Sequence, residues 1–231
     1  FVVGDGAKIG SNAVVIKPSS VAPNTIMAFA ELLAGLDLPK GVLNIITGAG
    51  GTLGEALVRS PIPGIISLTG SVEAGQRVIA ASARNTTKTA LELGGKAPAI
   101  VCADADLELA TKAVVASRVI FSGQVCNCAE RLYVDARIAD QFTDMLAKAF
   151  KAVTFGDPMA ATAPDMSSQV SAEQQKKVAD MVQRAVEDGA HVITGGHIPD
   201  TPTGHFYQPT LLGGCRQAME IVQQEIFGPV L

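Results

Sequence analysis

The chain has 231 residues, 48% of them hydrophobic, and its 18 Lys and Arg against 22 Asp and Glu leave a net charge of −4. That is enough apolar material for one large domain or two modest ones, and charge spread without a basic stripe excludes a nucleic-acid-binding surface. Four cysteines in a chain of this size make no disulfide framework, no apolar run approaches the ~20 residues that cross a bilayer, and a reducing cytoplasm is the expected location.

The first eight residues, Phe1 to Lys8, carry neither an initiator Met nor the charged-then-apolar pattern of a secretion signal, so the chain reads as starting inside a longer protein. Short β-branched runs then alternate with longer amphipathic stretches, with Gly or Pro at most joins, a βαβα pattern. Residues 13–17 read as a buried strand, Pro18 and Pro23 bracket a loop, 26–36 have helical spacing and 42–47 form the next strand. Gly48-Ala49-Gly50-Gly51 opens a helix containing Glu55, Ala56 and Leu57, and the loop at Pro61 and Pro63 returns the chain to a strand at 65–68.

A second glycine turn, 69–75, leads into a helix to about Ala83, and strands follow at 89–93 and 97–101 on either side of Gly94-Gly95. Asp104 or Asp106 is placed to cap a long helix ending near Phe121. Beyond Gly123 come a strand at 132–134, helices at 138–153 and 172–187, strands at 191–194 and 206–212, and a last apolar run, 226–231.

Several residues in this pattern can carry chemistry. Glycine turns after strands, here with Gly50, Gly54, Gly70 and Ser71, suit a dinucleotide, because a helix N-terminus there offers free N–H groups to phosphate; plain turn formation is the alternative. Lys17 closes the first strand, where its ammonium can reach ribose hydroxyls or phosphate, or simply face solvent. Cys126 lies in a small-residue loop beyond the long helix, a place where a thiolate can meet a ligand and also where a free thiol can be buried as a small apolar group. Glu92 ends a strand just before two glycines, as a water-activating base would or as a solvated carboxylate would. Cys126 and Cys128 lack His or Cys companions at zinc spacing, since His191, His197 and His205 lie far along the chain, so no metal site is expected.

Three segments in order, Leu91-Glu92-Leu93-Gly94-Gly95-Lys96, Ser122-Gly123-Gln124-Val125-Cys126 and Glu225-Ile226-Phe227-Gly228-Pro229, resemble the signature segments of the aldehyde dehydrogenase superfamily, and the resemblance runs over essentially the whole chain. Gly123 to Arg131 and Glu92 to Ile100 look most like the lactaldehyde/glycolaldehyde dehydrogenase branch. The resemblance implies an α/β fold: a partial Rossmann-like dinucleotide-binding domain over 1–94 and a partial catalytic domain over 95–231. It implies Cys126 as nucleophile through a thiohemiacetal and thioester, Glu92 as the base of thioester hydrolysis, Ser71 beside the cofactor, Glu225 on the nicotinamide ribose and Phe227 against the nicotinamide.

Where the family pattern Lys-x-x-Glu is usual, this chain has Lys17-Pro18-Ser19-Ser20. Ser20 thus stands in place of an acid that pairs with the adenosine ribose, which opens the site to NADP as well as NAD. A small aldehyde is the implied partner, a hydroxyaldehyde such as lactaldehyde or glycolaldehyde first and a semialdehyde or betaine aldehyde second, in a homo-oligomeric parent, dimer or tetramer. The family's Trp-Asn segment, whose Asn serves the oxyanion, and its C-terminal oligomer strand are not in this sequence, so a catalytically inactive dinucleotide-binding module is the alternative reading.

Overall fold

The computed structural model describes residues 2–4, 13–201 and 203–231, so most of the opening segment Phe1 to Lys8 lies outside the described residues. Backbone contacts divide the chain into two compact units, Phe1–Gly94 and Gly95–Leu231.

The first unit is built on a five-stranded sheet of order β3-β2-β1-β4-β5. Its strands are β1 (Val2–Gly4), β2 (Ala13–Ile16), β3 (Leu43–Ile45), β4 (Pro63–Gly70) and β5 (Lys88–Leu93). Helix α1 (Asn24–Ala34) joins the parallel pair β2 and β3, and α3 (Val72–Ser82) joins the parallel pair β4 and β5, so two βαβ units carry the sheet. Between them β1 runs antiparallel to both β2 and β4, which makes the sheet mixed. In the register of β4 and β5, Glu92 sits opposite Thr69.

The first glycine turn winds one wide turn at Gly50–Gly54 before tightening into α2 (Glu55–Arg59). The second is shorter than the spacing of its glycines suggests. Gly70 ends β4, Ser71 caps α3 by accepting from the Ala74 amide at 3.1 Å, and Gly75 already lies inside the helix. A Cβ there would overlap the methyl groups of Leu93, which would have to turn aside to admit it.

The second unit opens with β6 (Pro98–Val101) and β7 (Arg131–Val134), a parallel pair connected through α4 (Leu107–Val119) and the loop that carries Cys126. Asp106, and not Asp104, caps α4, accepting from the Leu109 amide at 3.0 Å. Helix α5 (Ala139–Ala152) buries Phe142, Leu146 and Phe150, and α6 (Ala172–Glu187) buries Val178, Met181, Val182 and Ala185. These are the i, i+4 and i, i+3, i+4, i+7 stripes of amphipathic helices. They face two cores, one where α6 meets Tyr207, Ile226 and Val230, the other where α5 meets Val101, Val114 and Leu211.

One strand expectation is corrected here. Of residues 206–212 only the end pairs, as β9 (Leu211–Gly213) against β8 (His191–Thr194), because Pro209 has no N–H to give a ladder. In the last apolar run, 226–231, Phe227 has φ +53, and only the final residues bond alongside 210–212, with a bridge at Val230 and Thr210. A short α7 (Glu220–Gln223) precedes that run. Among the described residues no helix is long and apolar enough to cross a membrane.

Candidate active site

In the first unit a cavity of ≈ 690 Å³ opens between α2 and α3, with Lys17, Gly50, Gly54 and Ser71 on its wall. Gly50 and Gly51 face open space, so backbone is directly accessible there. Lys17 Nζ donates to the carbonyl oxygens of Pro18 at 2.7 Å and Gly48 at 3.0 Å, and Ser20 Oγ donates to the same Gly48 oxygen at 3.0 Å. Lys17 and Ser20 therefore converge on one carbonyl beside the glycine turn, and Gly70 stands one residue before the Ser71 cap. Glu92 is exposed on β5, the edge strand of the sheet, and among the described residues its carboxylate has no hydrogen-bond or ion-pair partner.

In the second unit the chain leaves α4 through a left-handed turn. Phe121 and Ser122 have φ of 47° and 59°, and Gly123 follows at 74°. Non-glycine residues adopt this region at a cost of ~1–2 kcal/mol each, so the turn needs outside support. Ser122 Oγ donates to the Ser167 carbonyl at 2.6 Å, Gln169 Nε2 donates to the Ser122 carbonyl at 2.9 Å, and the Val170 amide donates to Gln124 Oε1 at 3.0 Å. Gly123 is pressed against the Gly228 carbonyl, which a Cβ would overlap. Cys126 then emerges on a turn and is exposed.

Cys128 is its opposite. Buried, its thiol donates to the Val125 carbonyl at 2.9 Å and accepts from Arg118 Nη2 at 2.8 Å. Burial pushes this thiol up in pKa, Arg118 opposing only in part, so Cys128 is a neutral strut beneath the loop.

Arg118, Lys96 and Glu130 form a buried charge cluster with side-chain exposures of 0%, 8% and 2%. Glu130 Oε2 accepts from Lys96 Nζ at 2.7 Å and Oε1 lies 3.4 Å from Arg118 Nη1. The same carboxylate accepts from the amides of Ile226 at 3.2 Å and Phe227 at 3.1 Å. Arg118 also donates to the carbonyls of Gly123 and Ala129. Burial pulls the Lys96 ammonium down, with Glu130 opposing.

On the other side of the 225–228 loop, Gln174 Nε2 donates to the carbonyls of Ile226 and Phe227 at 3.1 and 2.8 Å, and Lys177 Nζ donates to the Glu225 carbonyl at 3.1 Å. The Gly95 amide donates to Glu225 Oε1 at 3.3 Å, and a Cβ on Gly95 would meet the Cys126 carbonyl at 3.6 Å. Gly95 thus touches the neighbourhoods of both Cys126 and Glu225. Burial pushes the Glu225 carboxyl up, more than the Gly95 amide lowers it.

Each unit therefore gathers part of the candidate set: Lys17, Gly50, Gly54 and Ser71 around the cavity of the first, Cys126, Glu225 and Phe227 around Gly95 and Glu130 in the second. The sequence reading gave no role to Arg118, Glu130, Lys96, Gln169 or Gln174. One signal was available, since Thr111, Val114 and Arg118 follow helical spacing and all three are buried, which put an arginine on the apolar stripe of α4. Among the described residues no group of three or more His, Cys, Asp or Glu gathers as metal ligands would.

The sequence profile of the aldehyde dehydrogenase family matches residues 7–231. The chain is 50% identical over 225 residues to the lactaldehyde dehydrogenase of Escherichia coli (strain K12), covering 97% of this chain and 47% of that protein. The crystal structure of lactaldehyde dehydrogenase from Escherichia coli superposes with a TM-score of 0.92 at 50% identity, over 94% of this chain and 46% of that one. Betaine aldehyde dehydrogenase from Staphylococcus aureus, solved in complex with NAD+, gives 0.92 at 35% identity, over 95% and 44%. The chain spans about half the length of the curated relatives it matches.

Proposed function

The chain belongs to the aldehyde dehydrogenase family, and on that premise we propose that the full-length protein oxidises a small hydroxyaldehyde, such as lactaldehyde or glycolaldehyde, to its carboxylate with NAD+ or NADP+. Cys126 is the nucleophile of this reading and Glu92 the base. The observation that carries it is the contrast within the Cys126 loop: one thiol exposed on a turn, the other buried and bonded below it, with Arg118 holding the loop on either side of Cys126, at the Gly123 carbonyl and the Cys128 thiol. A nucleophile needs this combination of access and fixed direction.

The Cys126 thiolate adds to the carbonyl carbon and gives a tetrahedral thiohemiacetal. The dinucleotide, when bound, supplies the hydride acceptor. Loss of hydride leaves a thioester on Cys126; water attacks it as Glu92 takes the water's proton, the C–S bond breaks, and the carboxylate departs. The cavity beside Lys17, Gly50, Gly54 and Ser71 has the size and accessible backbone to take a nucleotide, and Glu225 and Phe227 would hold the nicotinamide ribose and ring. The relatives' names favour a hydroxyaldehyde, because the lactaldehyde enzyme is 50% identical, against 40% and 35% for the betaine aldehyde enzymes of Bacillus subtilis and Staphylococcus aureus. The test is reduced-cofactor absorbance with lactaldehyde, glycolaldehyde and betaine aldehyde and each dinucleotide; no reduction with any of them overturns the reading.

In Glu92→Gln the chemistry up to the thioester stays intact and hydrolysis slows. Rapid mixing is expected to show a burst of reduced cofactor equal to the active sites, followed by turnover slower by ~10²-fold, the usual contribution of a general base. Loss of the burst itself would move Glu92 out of the hydrolytic step.

Ser20→Glu tests cofactor choice. A carboxylate beside Lys17 and the Gly48 carbonyl would accept from a ribose diol and repel a 2′-phosphate, so kcat/KM with NADP relative to NAD is expected to fall ~10-fold. An unchanged ratio, or a parent enzyme that ignores NADP, would show that Ser20 does not face the adenosine ribose.

A further inference from the structure

Glu130 takes donors from three separate stretches of chain, and both of its oxygens are doubly engaged. Oε2 receives Lys96 Nζ and the Ile226 amide, while Oε1 receives the Phe227 amide and faces Arg118. A carboxylate has about four acceptor sites; three take hydrogen bonds here and the fourth faces Arg118 at 3.4 Å. From Glu130 the connection runs through Arg118 to the Gly123 carbonyl and the Cys128 thiol, which flank Cys126. It also runs through two amides into the loop that begins at Glu225, and there the same peptide stretch is gripped from behind by Gln174. No neutral side chain can replace it, because an amide has a single acceptor oxygen and would leave two buried cations facing no anion.

A buried ion pair adds little net stability over apolar packing of equal volume. Its effect here is on direction. We infer that Glu130 is a positioning residue that fixes the Cys126 loop to the Glu225–Phe227 loop, so that nucleophile reactivity and dinucleotide affinity depend on one carboxylate. The inference rests on the proposed aldehyde oxidation for its meaning, but the link itself is a property of the second unit alone.

Two variants of the full-length protein test it. Glu130→Asp keeps the charge but is one methylene too short to reach both loops. Glu130→Gln combined with Lys96→Met removes one anion and one cation together, so the buried net charge of the cluster is unchanged. Three quantities are read: the melting transition, the alkylation rate of Cys126 by iodoacetamide without dinucleotide, resolved by peptide mass spectrometry from the exposed Cys102 and Cys215, and the dissociation constant for NAD+. In variants that melt cooperatively, both the alkylation rate and the dissociation constant are expected to change by about tenfold, the scale of coupling between residues in one network.

A purely structural role would lower the melting temperature and leave both quantities of the folded protein alone. If both stay within about twofold of the parent, less than any coupling of that scale, or if only one moves, the link is overturned. It is also overturned if neither variant folds, since Glu130 then serves global stability. If the parent shows no aldehyde oxidation, the proposed function fails while alkylation and binding still decide the link.

Discussion

Cys126→Ala in the full-length protein is expected to lower kcat/KM for aldehyde oxidation by on the order of 10⁴-fold or more, with dinucleotide affinity within a few-fold of the parent. The size of the loss follows from the role: without sulfur no covalent bond holds the carbonyl carbon, and neither the tetrahedral species nor the thioester exists. The selectivity follows from chemistry, because the sulfur bonds to the aldehyde carbon and not to the dinucleotide. Cys128→Ser is the matched control. It keeps a donor for the Val125 carbonyl and an acceptor for Arg118, so oxidation should persist. Progress curves with and without aldehyde, together with a dinucleotide titration, measure both effects. Oxidation by the Cys126→Ala protein near the parental rate would remove Cys126 from the mechanism.

Gly123→Ala is expected to be the most damaging single methyl in the loop. Gly123 has φ +74, and the added Cβ would overlap the Gly228 carbonyl, a backbone atom that cannot swing aside. Left-handed strain of ~1–2 kcal/mol adds to overpacking of ~1–3 kcal/mol, so denaturant unfolding should report a loss of roughly 2–5 kcal/mol. The surviving folded protein should oxidise aldehyde ~10²-fold more slowly, since a displacement of about 1 Å at the nucleophile has that effect. Gly156→Ala serves as the comparison: its Cβ meets nothing within 4 Å, and its stability should stay within about 0.5 kcal/mol of the parent. Equal stability of the two variants would mean that the close approach of Gly123 and Gly228 is not maintained in solution.

Much of the fold could be read from the residues, and the reasons are local. The stripe in α6 and the cap at Asp106 are signals written within one helical turn. Cys126, Glu92 and Glu225 could be named as candidates because each sits in a short motif at the family's spacing. What could not be read is long-range. The antiparallel course of β1 depends on strands that follow it in the chain, and the course of the run 226–231 depends on Glu130 capturing two of its amides. Glu130 looks like any surface acid until Lys96, Arg118 and those amides surround it. Gly75 reads as part of a turn because a glycine inside a helix and a glycine at a bend have the same letter.

The contacts that complete the Cys126 loop join residues far apart in the chain: Glu130 and the amides of Ile226 and Phe227 are separated by 96 and 97 positions. Closing so long a loop costs entropy before any contact returns it, and folding rates fall as contacts become less local. Helices α4, α5 and α6 can form from their own residues, whereas the turn at Gly123 has to wait for Gly228, which comes much later in the chain. During synthesis the thiol therefore emerges from the ribosome well before the segment that sets its direction, and a nascent chain holds an unguided, alkylatable Cys126 until residues 226–228 dock.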